Sequence, residues 1–283
     1  LNTERNMKKN TARDTATGRS ARDPIGVFDS GLGGLTVVRE IQKLLPNENL
    51  IYLGDSARLP YGTKSRRQIV EFSMHDADFL IKRRVKALVI ACNSSSANAY
   101  YALNRHYSVP VIDVIRPASF DACRVSMSQK VGVIGTRATI VSGAYEREIK
   151  KCNKKCLVYS AACPLFVPLV EEGWIRNKET RSIIEHYLAP LMKKKIDTLI
   201  LGCTHYPLLK KTIADEINTV TIIDSGPSTA LLLRQRLENN NLLNRTQKKG
   251  MLKIFVTDLS PYFKRIGERF LGHAMHHIKV VHL

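Results

Sequence analysis

Two cysteines, Cys92 and Cys203, stand at corresponding points of two similar stretches of the sequence. Each follows a short apolar run and precedes polar residues. An Ile-Asp pair then follows each thiol at the same distance, because Asp113 lies 21 positions after Cys92 and Asp224 lies 21 positions after Cys203. A short apolar run bounded by polar residues is typical of a buried strand in a parallel sheet. The pattern predicts one thiol at a strand end in each of two related units.

Two thiols that face one carbon atom would suit inversion of a stereocentre. One thiolate removes a proton from one face, the opposite thiol delivers a proton to the other face, and the roles swap in reverse. A free thiol has a pKa of about 8.5, and His205, Ser94 and Thr204 are candidates for tuning it. Asp29 would disfavour a thiolate by repulsion, but it could take or orient the proton of a thiol. A redox disulfide is the alternative, and no Cys-x-x-Cys arrangement favours it.

A single cysteine is more often a core residue than a catalytic one, since free cysteine is among the most buried residue types. The matched positions of Cys92 and Cys203 favour chemistry here. A hypothesis from another class is a basic binding protein that holds its ligand without chemistry. Under that hypothesis, replacing either thiol with serine would leave ligand affinity intact.

Apolar segments of strand type alternate with helical patterns along the chain, which predicts parallel sheets with right-handed crossovers. Ligands bind at the carboxyl ends of the strands in such sheets. We therefore expect an α/β fold of two similar parallel-sheet domains related by an internal repeat, with the active site in the cleft between them. The predicted strands are residues 25–28, 50–53, 87–91, 111–114, 131–134, 156–160, 199–201, 221–224, 252–256 and 278–281.

The polar residues 1–23 predict a disordered basic tail. Residues 24–116 form the first predicted domain, residues 117–226 form the second, and residues 227–283 are expected to pack back on the first. Helical patterns lie near 66–84, 179–194, 228–239 and 261–270. The glycine turn after Asp29 opens a further helix, a geometry that fits either an anion-binding site or an ordinary tight turn. With no lysine following it, a carboxylate is favoured over a phosphate.

The net charge of +19 comes from scattered basic groups, which indicates a solvated basic surface with non-specific nucleic-acid affinity. No aromatic residues interleave them as base stacking would require, although a nucleic-acid role for the tail stays open. Six cysteines without framework spacing fit reduced thiols in the cytoplasm, and their spacing does not favour a metal site. No apolar run predicts a signal peptide or a membrane span.

Four motifs in fixed order resemble the glutamate racemase family, the cofactor-independent enzymes of the aspartate/glutamate racemase superfamily. The resemblance extends from about residue 25 to the end. The motifs are Asp29-Ser30-Gly31-x-Gly33-Gly34, Pro60-Tyr61-Gly62, Ala91-Cys92-Asn93 and Gly202-Cys203-Thr204-His205-Tyr206-Pro207.

The resemblance implies reversible conversion of L-glutamate to D-glutamate for peptidoglycan synthesis, without cofactor or metal, in an enzyme that often dimerises. It implies that Cys92 takes the Cα proton of the D-isomer with help from Asp29. Cys203 would take that of the L-isomer with help from His205 and Glu171, the latter chosen over its neighbour Glu172. The substrate would be held by Ser30, Pro60, Tyr61, Gly62, Asn93, Ser94, Thr136, Thr139 and Thr204.

Two positions depart from the family pattern. Ser94 replaces the usual threonine and keeps its hydroxyl, so we expect binding to be retained with slightly looser positioning. Ser95 stands where alanine is common. Aspartate stays open as the substrate on physical grounds, because pocket shape decides which side-chain length fits.

Overall fold

The computed structural model describes residues 13–14 and 18–283. Strands and helices alternate through most of this range. The strands are β1 (Arg13–Asp14), β2 (Arg19–Ser20), β3 (Ile25–Asp29), β4 (Leu50–Gly54), β5 (Ala87–Ile90), β6 (Val111–Asp113), β7 (Lys130–Gly135), β8 (Leu157–Ala162), β9 (Thr198–Gly202), β10 (Thr221–Asp224), β11 (Leu252–Val256) and β12 (Ile278–Val280). The helices are α1 (Leu35–Leu44), α2 (Arg66–Ile81), α3 (Asn93–His106), α4 (Ile115–Val125), α5 (Arg137–Val141), α6 (Ala144–Cys152), α7 (Phe166–Glu171), α8 (Lys178–Met192), α9 (Lys210–Glu216), α10 (Ser225–Asn239) and α11 (Phe263–Leu271).

The strands form two parallel sheets and a small antiparallel pair. The larger sheet has the order β12-β11-β4-β3-β5-β6, the smaller has the order β10-β9-β7-β8, and β1 pairs with β2. Within each unit the first four strands along the chain follow one spatial order, second, first, third, fourth: β4-β3-β5-β6 in one and β8-β7-β9-β10 in the other. The predicted α/β fold of two similar parallel sheets is therefore confirmed.

The central strands are buried along their whole length. Every residue of β3, β4, β5 and β9 is buried, as expected where helices cover both faces of a parallel sheet. Burial of these apolar strands is the main source of stability for the units. Among the described residues, no helix is both long enough and apolar enough to cross a membrane.

Local capping explains where the observed helices differ from the predicted ones. Helix α10 begins at Ser225 rather than near 228, because the Asp224 side chain accepts a hydrogen bond from the Gly226 backbone N–H at 2.9 Å. Helix α2 ends at Ile81 rather than near 84, and Arg84 turns the chain with a left-handed φ of 59°.

The chain beyond residue 240 returns to the first unit. Strand β11 adds to the free side of β4, and β12 adds to β11, so this segment extends the larger sheet. The predicted tail of residues 1–23 lies mostly outside the described residues. In its described part, the Ala21 carbonyl accepts a hydrogen bond from Lys86 Nζ at 2.6 Å. A buried ammonium needs such acceptors, and this contact holds the segment.

Lys86 connects separate segments of the first unit through its buried ammonium group. Its side chain is fully buried, and Nζ donates to Glu48 Oε2 at 2.5 Å, to the Leu242 carbonyl at 2.8 Å and to the Ala21 carbonyl. Burial lowers the pKa of Lys86 and raises the pKa of Glu48, and the attraction between the two groups opposes both shifts. Lys86 thus joins three segments that are distant along the chain, those of Ala21, Glu48 and Leu242.

Replacing Lys86 with alanine should destabilise the fold by about 3–5 kcal/mol, because it leaves the Glu48 carboxyl buried without its partner. Urea unfolding measures the loss. The matched control is Lys43→Ala, which breaks the pair of Lys43 with Glu40 at 2.8 Å but at a lysine side chain that is 63% exposed. That control should cost at most about 1 kcal/mol. A loss in Lys86→Ala as small as that of the control would contradict this role.

Candidate active site

Cys92 lies between the end of β5 and the start of α3. Its Sγ accepts a hydrogen bond from the Ser95 backbone N–H at 3.5 Å and donates to Ser30 Oγ at 3.7 Å. The thiol is 5% exposed. Burial, and then the nearby charge of Asp29, raise the pKa of Cys92 to about 12. This thiol therefore keeps its proton at neutral pH.

Cys203 occupies the equivalent position after β9, in a different electrostatic setting. Its Sγ lies 4.0 Å from His205 Nδ1, and His205 Nε2 lies 3.0 Å from Glu171 Oε1. Burial lowers the pKa of His205, but the hydrogen bonds and charges of Cys203 and Glu171 outweigh burial and raise it to about 10. A protonated imidazole thus stands beside this thiol at neutral pH. Of the adjacent pair Glu171 and Glu172, Glu171 is the residue that contacts His205.

Asp29 lies behind the two thiols at the end of β3. Its carboxylate is 1% exposed, accepts a hydrogen bond from the Gly31 backbone N–H at 2.9 Å and another from Thr204 Oγ1 at 3.4 Å. Burial raises the pKa of Asp29, and the charge of His205 opposes that rise. Asp29 therefore links the surroundings of Cys92 to those of Cys203.

Both thiols line one cleft of about 280 Å³ between the two units. This volume suits a small ligand, since pockets that bind drug-sized molecules measure about 300–1,000 Å³. A larger cleft of about 790 Å³ lies beside β11 and β12, and its lining residues include no cysteine. Of the predicted site residues, the smaller cleft is lined by Ser30, Pro60, Tyr61, Gly62, Cys92, Asn93, Ser94, Thr136, Glu171, Cys203, Thr204 and His205.

The two remaining predicted residues, Asp29 and Thr139, are buried directly behind this lining. Thr139 Oγ1 lies 3.0 Å from Thr136 Oγ1, which in turn lies 2.9 Å from Ser94 Oγ. These three hydroxyls come from both units and form one cluster at the cleft. The hydroxyl of Ser94, expected from the sequence to survive the replacement of threonine, takes part in it.

A buried polar network supports the loop of Pro60, Tyr61 and Gly62. The Tyr61 hydroxyl lies within hydrogen-bond distance of the carboxyl groups of both Asp55 and Asp76, with a separation of 3.1 Å from Asp76 Oδ2. Arg58 pairs with both carboxyl groups, at 2.6 Å and 3.1 Å. Burial, and then the charge of Asp55, raise the pKa of Asp76 well above its usual range. The ring of Tyr61 is thereby fixed at the edge of the cleft.

Gly33 allows the two units to come together. A Cβ atom at this position would lie 2.1 Å from Thr204 Oγ1 and 2.6 Å from His205 Nδ1, far inside van der Waals contact. The glycine turn that was predicted to bind an anion therefore has a second role. It leaves space for the loop after β9. Thr36 Oγ1 adds a hydrogen bond across the same contact, donating to the Thr204 carbonyl at 3.1 Å.

Several lining residues were not predicted from the sequence. Gly31, Leu59 and Thr63 are adjacent in sequence to predicted site residues, and this adjacency is the signal that could have identified them. The others carry no chemical pattern of their own: Arg137, Pro164, Val167 and Pro168. Within the described residues, no group of three or more His, Cys, Asp or Glu side chains is placed to hold a metal ion.

The fold of this chain is that of a known class of protein. A family model described as Asp/Glu/Hydantoin racemase matches residues 25–233, and the chain belongs to this family.

Individual relatives lie within the group that the four motifs resemble. The glutamate racemase of Geobacter metallireducens is 48% identical over 249 residues, which span 88% of this chain and 92% of the relative. The structure of glutamate racemase from Francisella tularensis in complex with D-glutamate is 43% identical, with a TM-score of 0.88 over 93% of this chain and 98% of that chain. A glutamate racemase isoform from Bacillus anthracis is 39% identical, with a TM-score of 0.89 over the same shares. The resemblance to glutamate racemases is therefore confirmed.

Glu171→Gln should lower the pKa of His205 below its value of about 10, because it removes a hydrogen-bonded negative charge 3.0 Å from Nε2. An NMR titration of the His205 ring, identified by its loss in His205→Asn, measures the shift. Glu172→Gln is the matched control, because the adjacent carboxyl makes no described contact with His205. Equal titration curves in the two glutamine variants would contradict the assigned contact.

The same pKa predicts a trend in stability. Because His205 has a pKa of about 10 in the folded protein and about 6.5 unfolded, its proton favours the folded state. This stabilisation is fully present below about pH 6.5 and is lost as the pH rises through about 10. The free energy of unfolding should therefore fall more steeply over this interval in the wild type than in His205→Asn. Denaturant unfolding at several pH values measures this trend. If the free energy of unfolding changes with pH in the same way in the wild type and in His205→Asn, the raised pKa of His205 is contradicted.

Proposed function

We propose that this protein interconverts L-glutamate and D-glutamate, with Cys92 and Cys203 as two bases and with no cofactor. One observation carries the proposal: two buried thiols, one from each unit, line a single cleft of about 280 Å³. Similar proteins support glutamate as the substrate, since the relative from Geobacter metallireducens is a glutamate racemase and the Francisella tularensis structure contains D-glutamate.

The two thiols have different charged neighbours, an arrangement that suits a reaction starting from the L-isomer. Cys92 holds its proton, because burial and Asp29 raise its pKa to about 12. Cys203 Sγ lies 4.0 Å from Nδ1 of His205, whose raised pKa keeps the imidazole protonated at neutral pH. In the proposed reaction Cys92 therefore starts as the proton donor and Cys203 as the base, because a two-base reaction needs one of each.

The reaction then follows from this arrangement. The Cys203 thiolate takes the Cα proton of L-glutamate, and the electron pair stays on the substrate as a planar carbanion. The Cys92 thiol donates its proton to the opposite face, which gives D-glutamate and leaves a thiolate at Cys92. The reverse reaction begins from that state, with Asp29 taking or orienting the proton near Cys92.

Polar groups around the thiols are suited to a zwitterionic dicarboxylate. The hydroxyls of Ser30, Ser94, Thr136 and Thr204 and the amide of Asn93 offer donors for carboxylate oxygens. Thr139 supports Thr136 from behind, and the loop of Pro60, Tyr61 and Gly62 closes one side of the cleft. Restrained in this way, the substrate presents both faces of Cα to the thiols.

We also propose that the product supplies D-glutamate for peptidoglycan synthesis in the cytoplasm, and that the protein forms a homodimer. These assignments follow from the resemblance to the glutamate racemase family. The excess of basic residues supports a non-specific affinity for nucleic acid in addition, which should weaken as the salt concentration rises.

Purified protein without added pyridoxal phosphate should abolish the circular dichroism of L-glutamate, because two enantiomers of equal free energy reach equal concentrations. Cys92→Ser and Cys203→Ser should each lower kcat by about 10³-fold or more, since each removes one of the two bases. Cys152→Ser is the matched control, because this thiol is exposed and lies outside the cleft. It should behave as the wild type does.

The same reaction in D₂O separates a two-base from a one-base mechanism. The first D-glutamate formed should carry deuterium at Cα while the remaining L-glutamate keeps its hydrogen, because the proton delivered comes from the other thiol. Racemisation of L-aspartate instead of glutamate would preserve the mechanism and overturn the substrate. If folded protein changes neither amino acid, the ligand-binding hypothesis replaces the enzymatic one.

A further inference from the structure

We infer that Tyr145 is a positioning residue for the reaction: its hydroxyl fixes the Asn93 side chain so that the amide N–H groups are kept for the substrate. The inference rests on the proposed function, which places Asn93 among the groups that hold glutamate. Nothing in the sequence motifs marks Tyr145. The contact emerges only when the two units are assembled.

The contact joins the two units directly beside Cys92. Tyr145 lies on α6 of the second unit and is 2% exposed, and its hydroxyl donates to Asn93 Oδ1 at 2.7 Å. Asn93 is the first residue of α3, immediately after Cys92. The hydrogen bond therefore crosses the interface at the point where the first thiol is held.

The bond decides which end of the amide is available. A phenol has one proton to donate, and here Asn93 Oδ1 receives it. Asn93 Nδ2 is buried and has no hydrogen-bond partner among the described residues, although the side chain lines the cleft. A buried donor left unpaired is unfavourable, so a ligand oxygen in the cleft would satisfy it. Burial raises the pKa of Tyr145 well above its usual range, so the phenol keeps the proton that enforces this orientation.

The ring of Tyr145 contacts the second thiol's strand as well. Gly202 directly precedes Cys203, and a Cβ atom at Gly202 would lie 3.0 Å from Tyr145 Cε2. One side chain therefore contacts the residue after Cys92 and the residue before Cys203. The hydroxyl and the ring can be separated experimentally, because phenylalanine keeps the ring and removes the hydroxyl.

In Tyr145→Phe the Asn93 amide group can rotate by about 180°, so that its oxygen instead of its nitrogen faces a substrate carboxylate. KM for both enantiomers should rise by about fivefold to tenfold, the value of one hydrogen bond, while kcat falls less. The loss in kcat/KM must be equal in the two directions, since the equilibrium constant of a racemisation is one. Tyr107→Phe is the matched control, because it removes a hydroxyl that donates to Asp78 Oδ1 at 2.6 Å, away from the cleft.

A double-mutant cycle distinguishes positioning from general stabilisation. If Tyr145 acts through Asn93, Tyr145→Phe should have little further effect in an Asn93→Ala background. Equal losses of kcat/KM in the two backgrounds would overturn the inference. So would kinetic constants in Tyr145→Phe that match those of Tyr107→Phe.

A measurement without turnover keeps this test separate from the proposed function. The side-chain NH₂ signals of Asn93, identified by their loss in Asn93→Asp, should shift in ligand-free Tyr145→Phe and stay unchanged in Tyr107→Phe. Unchanged signals in Tyr145→Phe would overturn the inference even if the wild type racemises glutamate. If the signals shift in Tyr145→Phe but the wild type does not racemise glutamate, the proposed function is refuted and the orientation of Asn93 by Tyr145 stands.

Discussion

The close approach of the two units is the constraint on which the site depends. Neither sheet can form the cleft alone, because Cys92 belongs to the larger sheet and Cys203 to the smaller. Gly33 permits the approach, since any side chain there would collide with Thr204 and His205. Hydrogen bonds from Thr36 to the Thr204 carbonyl and from Tyr145 to Asn93 then hold the faces together. Polar contacts of this kind are directional, so they fix the position of the thiols as well as the distance between units.

Two residues of the same type lie in different electrostatic surroundings. Cys92 is buried near a carboxylate, and both effects keep its proton in place. Cys203 has a histidine beside it, and Glu171 helps to hold the proton of that histidine. Asp29 accepts hydrogen bonds from the Gly31 backbone N–H in the first unit and from Thr204 Oγ1 in the second, so it contacts the surroundings of both thiols. The repeat in the fold is thus nearly symmetric in backbone and asymmetric in charge.

Much of the fold was predictable because its signals are local. Apolar runs ending in polar residues marked the strands, and the matched spacing after Cys92 and Cys203 marked the repeat. Helix ends shifted where a cap such as Asp224 acted, an effect that apolar periodicity does not report. The least predictable features are contacts between distant residues. Tyr145 meets Asn93 across 52 positions, and Lys86 meets the carbonyl of Leu242 across 156.

The shared strand order of the two sheets has a geometric consequence for the substrate. Enantiomers are mirror images of each other, and no rotation of a protein built from L-amino acids produces the mirror image of its binding site. The intermediate between them is planar at Cα, however, and a half-turn about an axis in that plane exchanges its two sides. The two sheets share one strand order, and in each the third strand along the chain leads to a thiol that lines the cleft. A duplicated scaffold can therefore treat both hands of an amino acid alike, although each copy by itself has only one hand.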